Sequence, residues 1–344
     1  MDKIVNSTPK ITVLMPVYNC ELYIKEAVES ILNQTCSDFE FLIIDDASTD
    51  KTVSIIKSYQ DSRIQLIEKP LNTGLTNSLN LGLRLARGKY IARMDGDDIS
   101  VPERFAKQIT FLEANPDVVL CGAWFNIVGS NKLVKVPEHH DAIKLALLRG
   151  NCIAHPTVMM RKEILDEFSI SYEEQKEAAE DYDLWVRLLM LGKLHNLQEV
   201  LLGYRMHNAQ VSSKRMLQQN RITIATRLKL LNALDYKMDV FEIDVLKKII
   251  SEEEIIEFSE IELFQQLQKK MISSNQNFFD AIGFHKYMYE LENRGVEKYF
   301  LSKKEFTPLT YFQYLKIKKR INQKLATFSE FKLLMKSLIF YKAK

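Results

Sequence analysis

Three carboxylates fall within four positions, at Asp95, Asp97 and Asp98, and Gly96 separates the first two. They follow Tyr90-Ile91-Ala92-Arg93-Met94, a β-prone and largely apolar run. A strand interior does not tolerate that density of like charge, because each carboxylate raises the pKa of the next. The reading that removes the conflict is a strand emerging at a sheet's edge, with its acidic end turned to a divalent cation. Oxygen-only ligands favour hard ions such as Mg2+ or Mn2+, and Mg2+ sites use one or two carboxylates together with substrate phosphates. The competing reading is a helix N-terminus, with Asp98 or Ser100 capping a helix that Pro102 and Glu103 begin.

The preceding elements favour the cation. Ile11 to Met15 is a short, continuously apolar run that stops at Pro16, which suits a strand buried on both faces. Val17 to Cys20 follow as a loop, and Leu22, Ile24, Ala27, Val28, Ile31 and Leu32 then recur at helical spacing. Phe39 to Ile44 reads as a second buried strand and ends in Asp45-Asp46. Asp50 starts or caps the next helix, which runs to about Tyr59; Ile64 to Ile67 is a strand, and Thr76 to Ala86 a helix between Gly74 and Gly88. Strands alternating with helices signify parallel βαβ units, an α/β class in which ligands bind beyond the carboxyl ends of the strands. Both acidic clusters lie at such ends and are expected to face one crevice. No Gly-x-Gly-x-x-Gly follows the first strand and no P-loop occurs, so dinucleotide oxidoreductases and P-loop enzymes lose their main support.

Further on, a helix runs to Ala114, Val118 to Phe125 is strand-like, and 126–137 reads as a hairpin or loop. A helix is expected from Asp141 to Leu148, and a strand from Cys152 to Met160 interrupted at Pro156. The polar stretch Glu173 to Ala179 is expected to be mobile. Glu180-Asp181 opens a helix whose apolar face carries Leu184, Trp185, Leu188 and Leu189, with Asp183 and Arg187 as a surface pair. Leu201 to His207 reads as a last strand. Beyond Ser213 the chain is helix-rich, which divides it into 1–213 and a helical region 214–344.

A hydrophobic content of 46% with 27% charged residues describes an ordinary globular chain. The net charge of +2 hides an asymmetry: Leu301 to Lys344 holds eleven Lys or Arg against two Glu, a net of +9, leaving about −7 for the rest. In that tail Tyr311, Tyr314, Leu315, Ile321, Leu325, Phe328, Phe331, Met335 and Leu338 recur at helical spacing among Lys316, Lys318, Lys319, Arg320, Lys324 and Lys332. A basic amphipathic helix suits a membrane surface, or alternatively packs its apolar face on protein. No nucleic-acid module accompanies it, so nucleic acid is not expected as a partner. Cys20, Cys36, Cys121 and Cys152 lack zinc or disulfide spacing, the N-terminus lacks an apolar signal core, and no run is long enough to span a bilayer. A cytoplasmic protein, peripheral on the inner face of the plasma membrane, is the expectation; a homo-oligomer is left open.

Six stretches, in order, resemble the inverting glycosyltransferases of family 2, of the bacterial cell-surface polysaccharide type: Pro16-Val17-Tyr18-Asn19, Ile44 to Asp50, Asn72-Thr73-Gly74, Ala92 to Asp98, Glu180 to Trp185, and Tyr204-Arg205-Met206-His207. The resemblance spans roughly Lys10 to Ser213, about three-fifths of the chain. It implies the GT-A fold, a Rossmann-like, mixed and mostly parallel sheet flanked by helices, followed here by the helical C-terminal region. It implies that Pro16, Tyr18, Asn19, Asn72 and Gly74 line the nucleotide pocket, that Asp46 meets a uracil-type base beside Asp45, and that Asp95 holds ribose or metal. Asp97 is the implied principal metal ligand, His207 completes the metal shell or meets the diphosphate, and Asp181 is the general base. Many relatives carry an Arg where this chain has Leu79, so Arg93 and Arg205 become candidates for the diphosphate. His155 and Glu180 are candidates at the acceptor or diphosphate, His155 having a structural role as its alternative. The implied activity is Mn2+- or Mg2+-dependent, inverting transfer from a nucleotide-sugar donor, UDP-linked, to a saccharide or lipid-linked saccharide acceptor. A sugar nucleotidyltransferase would want a glycine-rich loop where Pro16-Val17-Tyr18-Asn19 stands, and a non-catalytic scaffold binding nucleotide sugar or membrane has no need of a base.

Overall fold

The structure is a computed structural model that describes residues 8–206, 216–251, 255–321 and 327–342. His207, Lys324 and Leu325 lie outside the described residues, as does the expected boundary near 213. The chain divides into two compact units, Met1–Thr226 and Arg227–Lys344.

In the first unit the elements are β1 (Ile11–Val17), α1 (Ile24–Leu32), β2 (Phe39–Asp45), α2 (Thr52–Lys57), β3 (Ile64–Glu68), α3 (Leu75–Leu85), β4 (Tyr90–Arg93), β5 (Ile99–Ser100), α4 (Arg104–Ala114), β6 (Val118–Ile127), β7 (Leu133–Val134), α5 (His140–Leu147), β8 (Met159–Arg161), α6 (Lys162–Glu167), α7 (Glu180–Leu188) and β9 (Lys193–Tyr204). One sheet runs in the order β3-β2-β1-β4-β8-β6-β9-β5, with β7 on β6. The long ladders are parallel: β3, β2, β1 and β4 form the βαβ half, and β9 runs parallel to β6. β8 lies antiparallel between β4 and β6 and joins the two halves. This is the mixed α/β architecture that the motifs imply.

Strand alternation explains why β1 reads as an unbroken apolar run. Ile11, Val13 and Met15 pack with Ile24, Ala27, Val28 and Ile31 of α1 and with Phe105, Ile109 and Leu112 of α4. Leu14 points to the opposite face, where α3 comes so close that a Cβ on Gly82 would lie 2.1 Å from Leu14 Cδ1. With both faces covered, each large apolar side chain contributes about 1.5–3 kcal/mol. The strand continues through Pro16 because β4 stops pairing at Leu14 opposite Arg93. Leu14 O accepts from Met94 N on the β4 side, so the nitrogen two residues on faces past the end of β4 and needs no hydrogen.

Three expectations are corrected. Cys152 to Met160 is not one interrupted strand: His155–Thr157 forms a 3-10 turn, closed by Thr157 N and Oγ1 on Ala154 O, and β8 starts only at Met159. The last strand is longer than Leu201 to His207 suggests, because β9 already starts at Lys193 and follows β6 through several bulges. Asp183 and Arg187 do pair, Nε to Oδ2 at 2.7 Å, but with Asp183 buried and Arg187 mostly covered rather than both at the surface. Breaking a buried pair by removing one partner costs about 3–5 kcal/mol.

The second unit is helical: α8 (Met216–Leu231, within which the division falls), α9 (Val240–Ile250), α10 (Phe258–Ser273), α11 (Ala281–Leu301), α12 (Pro308–Ile321) and α13 (Thr327–Leu338). Asp239 and Glu242 form a capping box at the start of α9. Val245, Leu246, Ile249, Phe264, Leu267 and Phe284 build its core. Among the described residues no helix is long and apolar enough to cross a membrane.

Candidate active site

β1 and β2 end together, Val17 opposite Asp45, and the chain then passes through left-handed residues at Asn19 (φ 51°) and Ala47 (φ 62°). The two following loops are laced to each other. Asn19 N donates to Ser48 Oγ at 2.9 Å, Thr49 N to Asn19 Oδ1 at 2.8 Å, Cys20 N to Thr52 Oγ1 at 2.7 Å and Glu21 N to Asp50 Oδ2 at 3.0 Å. An Asn suits this place because its side chain bonds backbone while its own backbone takes a positive φ. Tyr18 projects into solvent beside these turns.

The adjacent aspartates have different surroundings. Asp46 accepts from Thr73 N (3.0 Å), Gly74 N (2.9 Å) and Lys69 Nζ, so both its oxygens hold the Asn72-Thr73-Gly74 turn. Lys69 also reaches Thr73 Oγ1 and Ser78 Oγ. Asp45 Oδ2 accepts from Ser48 N at 3.0 Å, whereas its buried Oδ1 has no hydrogen-bond partner. The open acceptor at the end of β2 therefore belongs to Asp45. Gly74 sits at φ 92°, and a Cβ there would come within 2.8 Å of Glu177 Oε1, so the 173–179 segment, with its 3-10 turn at Glu174–Lys176, lies against this turn.

At the end of β4 one carboxylate oxygen from each of Asp95, Asp97 and Asp98 lies within 4.8 Å of the other two. The capping alternative fails: α4 starts at Arg104 with no side-chain cap, and Ser100 belongs to β5. Burial, reinforced by Asp95 and Asp97, pushes the Asp98 carboxyl well above its ordinary range. Burial also raises Asp95, against the pull of Arg93. Asp98 Oδ1 accepts from Arg205 N at 2.9 Å and its buried Oδ2 has no hydrogen-bond partner. Three crowded carboxylates, all oxygen and one with an orphaned atom, fit a hard divalent cation.

Three arginines fix this centre. Arg93 is buried and ion-paired with Asp95; burial works against its charge, and the carboxylate more than offsets that. Arg104 is completely buried, donating from Nη2 to Arg93 O (2.7 Å) and Val158 O (3.3 Å) and from Nε to Gln108 Oε1 (3.1 Å), so it ties the end of β4 to the approach of β8. Burial, then the like charge of Arg93, lower it to about 9. Arg205 donates from Nε to Asp97 O at 2.9 Å and from Nη2 to Glu26 Oε2 at 2.8 Å, over the ring of Tyr23, and so clamps the acidic loop from the end of β9.

Glu180 and Asp181 open α7. Asp181 Oδ2 accepts from Asn151 Nδ2 at 2.7 Å and Oδ1 from Tyr182 N at 2.6 Å; Glu180 Oε2 accepts from Ala178 N at 2.9 Å. Burial, then the charge of Asp181, raise Glu180 to about 7, and burial raises Asp181 as well. Arg93 lowers both, which places the acidic triad and this pair in the field of one buried cation. His155 Nε2 lies 2.8 Å from the Tyr172 hydroxyl and edge-on to Trp185; burial, then Arg93, hold it well below its ordinary pKa, so it is neutral. Asn80 of α3 holds Tyr172 by both backbone groups, at 2.8 and 2.9 Å.

The structure thus gathers Asp45, Asp46, Asn72 and Gly74 at one set of turns and Arg93, Asp95, Asp97, Glu180 and Asp181 in one electrostatic neighbourhood. With this geometry the comparisons are informative. The pattern of glycosyl transferase family 2 matches residues 12–169. An uncharacterised glycosyltransferase of Haemophilus influenzae is 33% identical over 322 residues, covering 86% of this chain and 97% of that protein. The chain belongs to glycosyltransferase family 2. The O-antigen biosynthesis glycosyltransferase WbnJ of Escherichia coli is 33% identical to this family 2 enzyme over 211 residues, 58% of the chain and 80% of WbnJ. Among solved structures, S. aureus TarS 1-349 in complex with UDP-GlcNAc superposes with a TM-score of 0.58 at 16% identity, covering 84% of this chain and 89% of that one. The mannosyltransferase PcManGT from Pyrobaculum calidifontis, in complex with GDP-Man and Mn2+, superposes at 0.53 and 15% identity, covering 85% and 86%. At such identities the likeness is one of fold, and that fold is GT-A.

No motif of this glycosyltransferase marks Lys69, Asn80, Arg104 or Tyr172. Arg104 left one usable signal: it stands at the start of a helix among residues that all turn out to be buried on one side, Phe105, Gln108 and Ile109.

Proposed function

We propose that this glycosyltransferase transfers one sugar, with inversion, from a nucleoside-diphosphate donor to a saccharide or lipid-linked saccharide acceptor in surface polysaccharide synthesis. The observation that carries the reading is the convergence, around Arg93, of an acidic triad fit for a cation and a carboxylate pair fit for a base. WbnJ, named for O-antigen biosynthesis, supports the polysaccharide setting, and the UDP-GlcNAc of TarS supports a UDP-sugar donor.

In this reading the loops after β1 and β2 receive the nucleoside, with Asp45 Oδ1 accepting from the base and Asp46 keeping the Asn72–Gly74 turn in place. Asp95, Asp97 and Asp98 would hold Mn2+ or Mg2+, whose positive charge would offset that of the departing diphosphate. Asp181 takes the proton of the acceptor hydroxyl while its oxygen bonds the anomeric carbon and the bond from that carbon to the diphosphate oxygen breaks. One displacement, with the base on the face opposite the leaving group, inverts that centre. Asn151 and the Tyr182 amide orient Asp181, and Glu180, when protonated, spares it a second negative charge. Arg93 balances both carboxylate groups, and Arg205 acts on the acidic loop as a clamp. His155 serves Tyr172 and the core. A nucleotidyltransferase finds no support in the glycine-free turn at Val17–Cys20.

The test is nucleoside diphosphate release from UDP-, GDP- and dTDP-sugars with crude lipid-linked acceptors, with Mn2+ or EDTA. Release from one donor is expected to vanish in EDTA and in Asp97→Ala, and to fall about 10²–10⁴-fold in Asp181→Asn. Full activity of Asp181→Asn would refute the base; indifference to EDTA would refute the cation.

A further inference from the structure

α13 wears its apolar side outward. Phe328, Phe331, Met335 and Leu338, spaced i, i+3, i+7 and i+10, form one stripe, and Phe328 and Phe331 are 77% and 59% exposed. The face turned inward is Ser329, Leu333 and Ser337, at i, i+4 and i+8. A helix of a water-soluble core does the reverse, and α9 and α10 of the same unit follow that rule with Val245, Leu246 and Ile249, and Ile261, Phe264 and Leu267 inside. The exposed stripe continues past the helix into Ile339 and Phe340. Contiguous exposed apolar surface of this kind marks an interaction site.

The charges around the stripe specify the partner. Lys332 is exposed at its edge, and Lys316 and Lys319 are exposed on α12. The only two acids between Leu301 and Lys344 are each bonded to a lysine, Glu330 to Lys318 at 2.8 Å and Glu305 to Lys342 at 3.0 Å. Aromatic and aliphatic side chains with lysines and no uncompensated acid are the composition of a helix lying flat at a lipid interface, its rings below the headgroups and its lysines on anionic lipids. A second copy of the chain would set lysine against lysine. We propose that the outward face of α13, with the exposed lysines of α12, docks on an anionic membrane surface. This rests on the tail alone, independently of the proposed reaction.

The test uses the full chain with vesicles of phosphatidylcholine, alone or with phosphatidylglycerol, sedimented at low and high salt. Binding to the anionic vesicles is expected to exceed binding to the neutral ones at least about ten-fold and to weaken with salt. Lys316→Glu with Lys319→Glu and Lys332→Glu should cut it by about 100-fold. Phe328→Ser with Phe331→Ser should cut it comparably, while circular dichroism and nucleoside diphosphate release stay at the wild-type level. Failure of the wild type to sediment with anionic vesicles, or wild-type binding by either variant, would overturn the proposal. So would a dimer in light scattering that the Phe variants abolish without a loss of vesicle binding, since the face would then serve a second copy.

Discussion

Replacing Glu180 by Gln should stabilise this enzyme at alkaline pH, although a hydrogen-bonded carboxylate is removed from the site. Glu180 is buried, and burial with the adjacent Asp181 raises it from 4.5 to about 7. Below pH 4.5 both folded and unfolded chains hold the proton and the residue contributes no pH dependence. Between 4.5 and about 7 the unfolded chain releases the proton while the folded one keeps it, so stability falls as pH rises. At 1.36 kcal/mol per pKa unit the loss reaches about 3 kcal/mol by pH 8. Gln keeps an oxygen for Ala178 N and carries no charge at any pH. The assay is thermal unfolding of both proteins from pH 5 to 8.5. The variant should match wild type near pH 5 and melt roughly 6–12 °C higher at pH 8, since 1 kcal/mol shifts Tm by about 2–4 °C in a unit the size of Met1–Thr226. A Tm difference that does not change with pH, or that grows toward acid, would refute the reasoning.

Other perturbations test other parts. Arg104→Met keeps length and apolar stem but leaves Arg93 O without its 2.7 Å donor, and should lower stability by about 1–3 kcal/mol in denaturant titration. Asp45→Asn keeps an oxygen for Ser48 N and puts an amide where Oδ1 was; UDP affinity by calorimetry should drop at least about ten-fold with little change in Tm. Asp46→Asn should instead destabilise, because its oxygens hold Thr73 N, Gly74 N and Lys69.

The acidic strand ends were legible because a βαβ half leaves a simple trace: apolar runs covered on both faces, each followed by polar or charged residues. β1, β2 and β4 all show it. The second half of the sheet was less legible, since the start of β9, Lys193 to Glu199, mixes His195, Asn196, Gln198 and Glu199 with apolar residues and follows β6 through bulges that break strict alternation. Asp183–Arg187 was readable as a pair but not as a buried one, because spacing along a helix does not say which side the rest of the chain covers. Asn80 and Tyr172 are 92 residues apart, and nothing local in either segment announces a bidentate clamp. For the aspartates, sequence resemblance assigned the base contact to Asp46, while the hydrogen bonds leave the unengaged oxygen on Asp45.

Arg93 is a counter-ion common to carboxylates on the acidic loop and on α7. Proton affinity on α7 and ligand affinity at the loop are therefore coupled quantities, and the coupling has to be the same in both directions. A ligand that brings positive charge to Asp95 adds to the positive potential that Arg93 already sets up at Asp181, making it a weaker base; protonation of the α7 pair in turn removes negative charge that would hold such a ligand. Charge placed at the acidic loop thus sets the acidity of the α7 pair. In this enzyme binding of a cation at the acidic loop should consequently shift the pH dependence of binding beside α7.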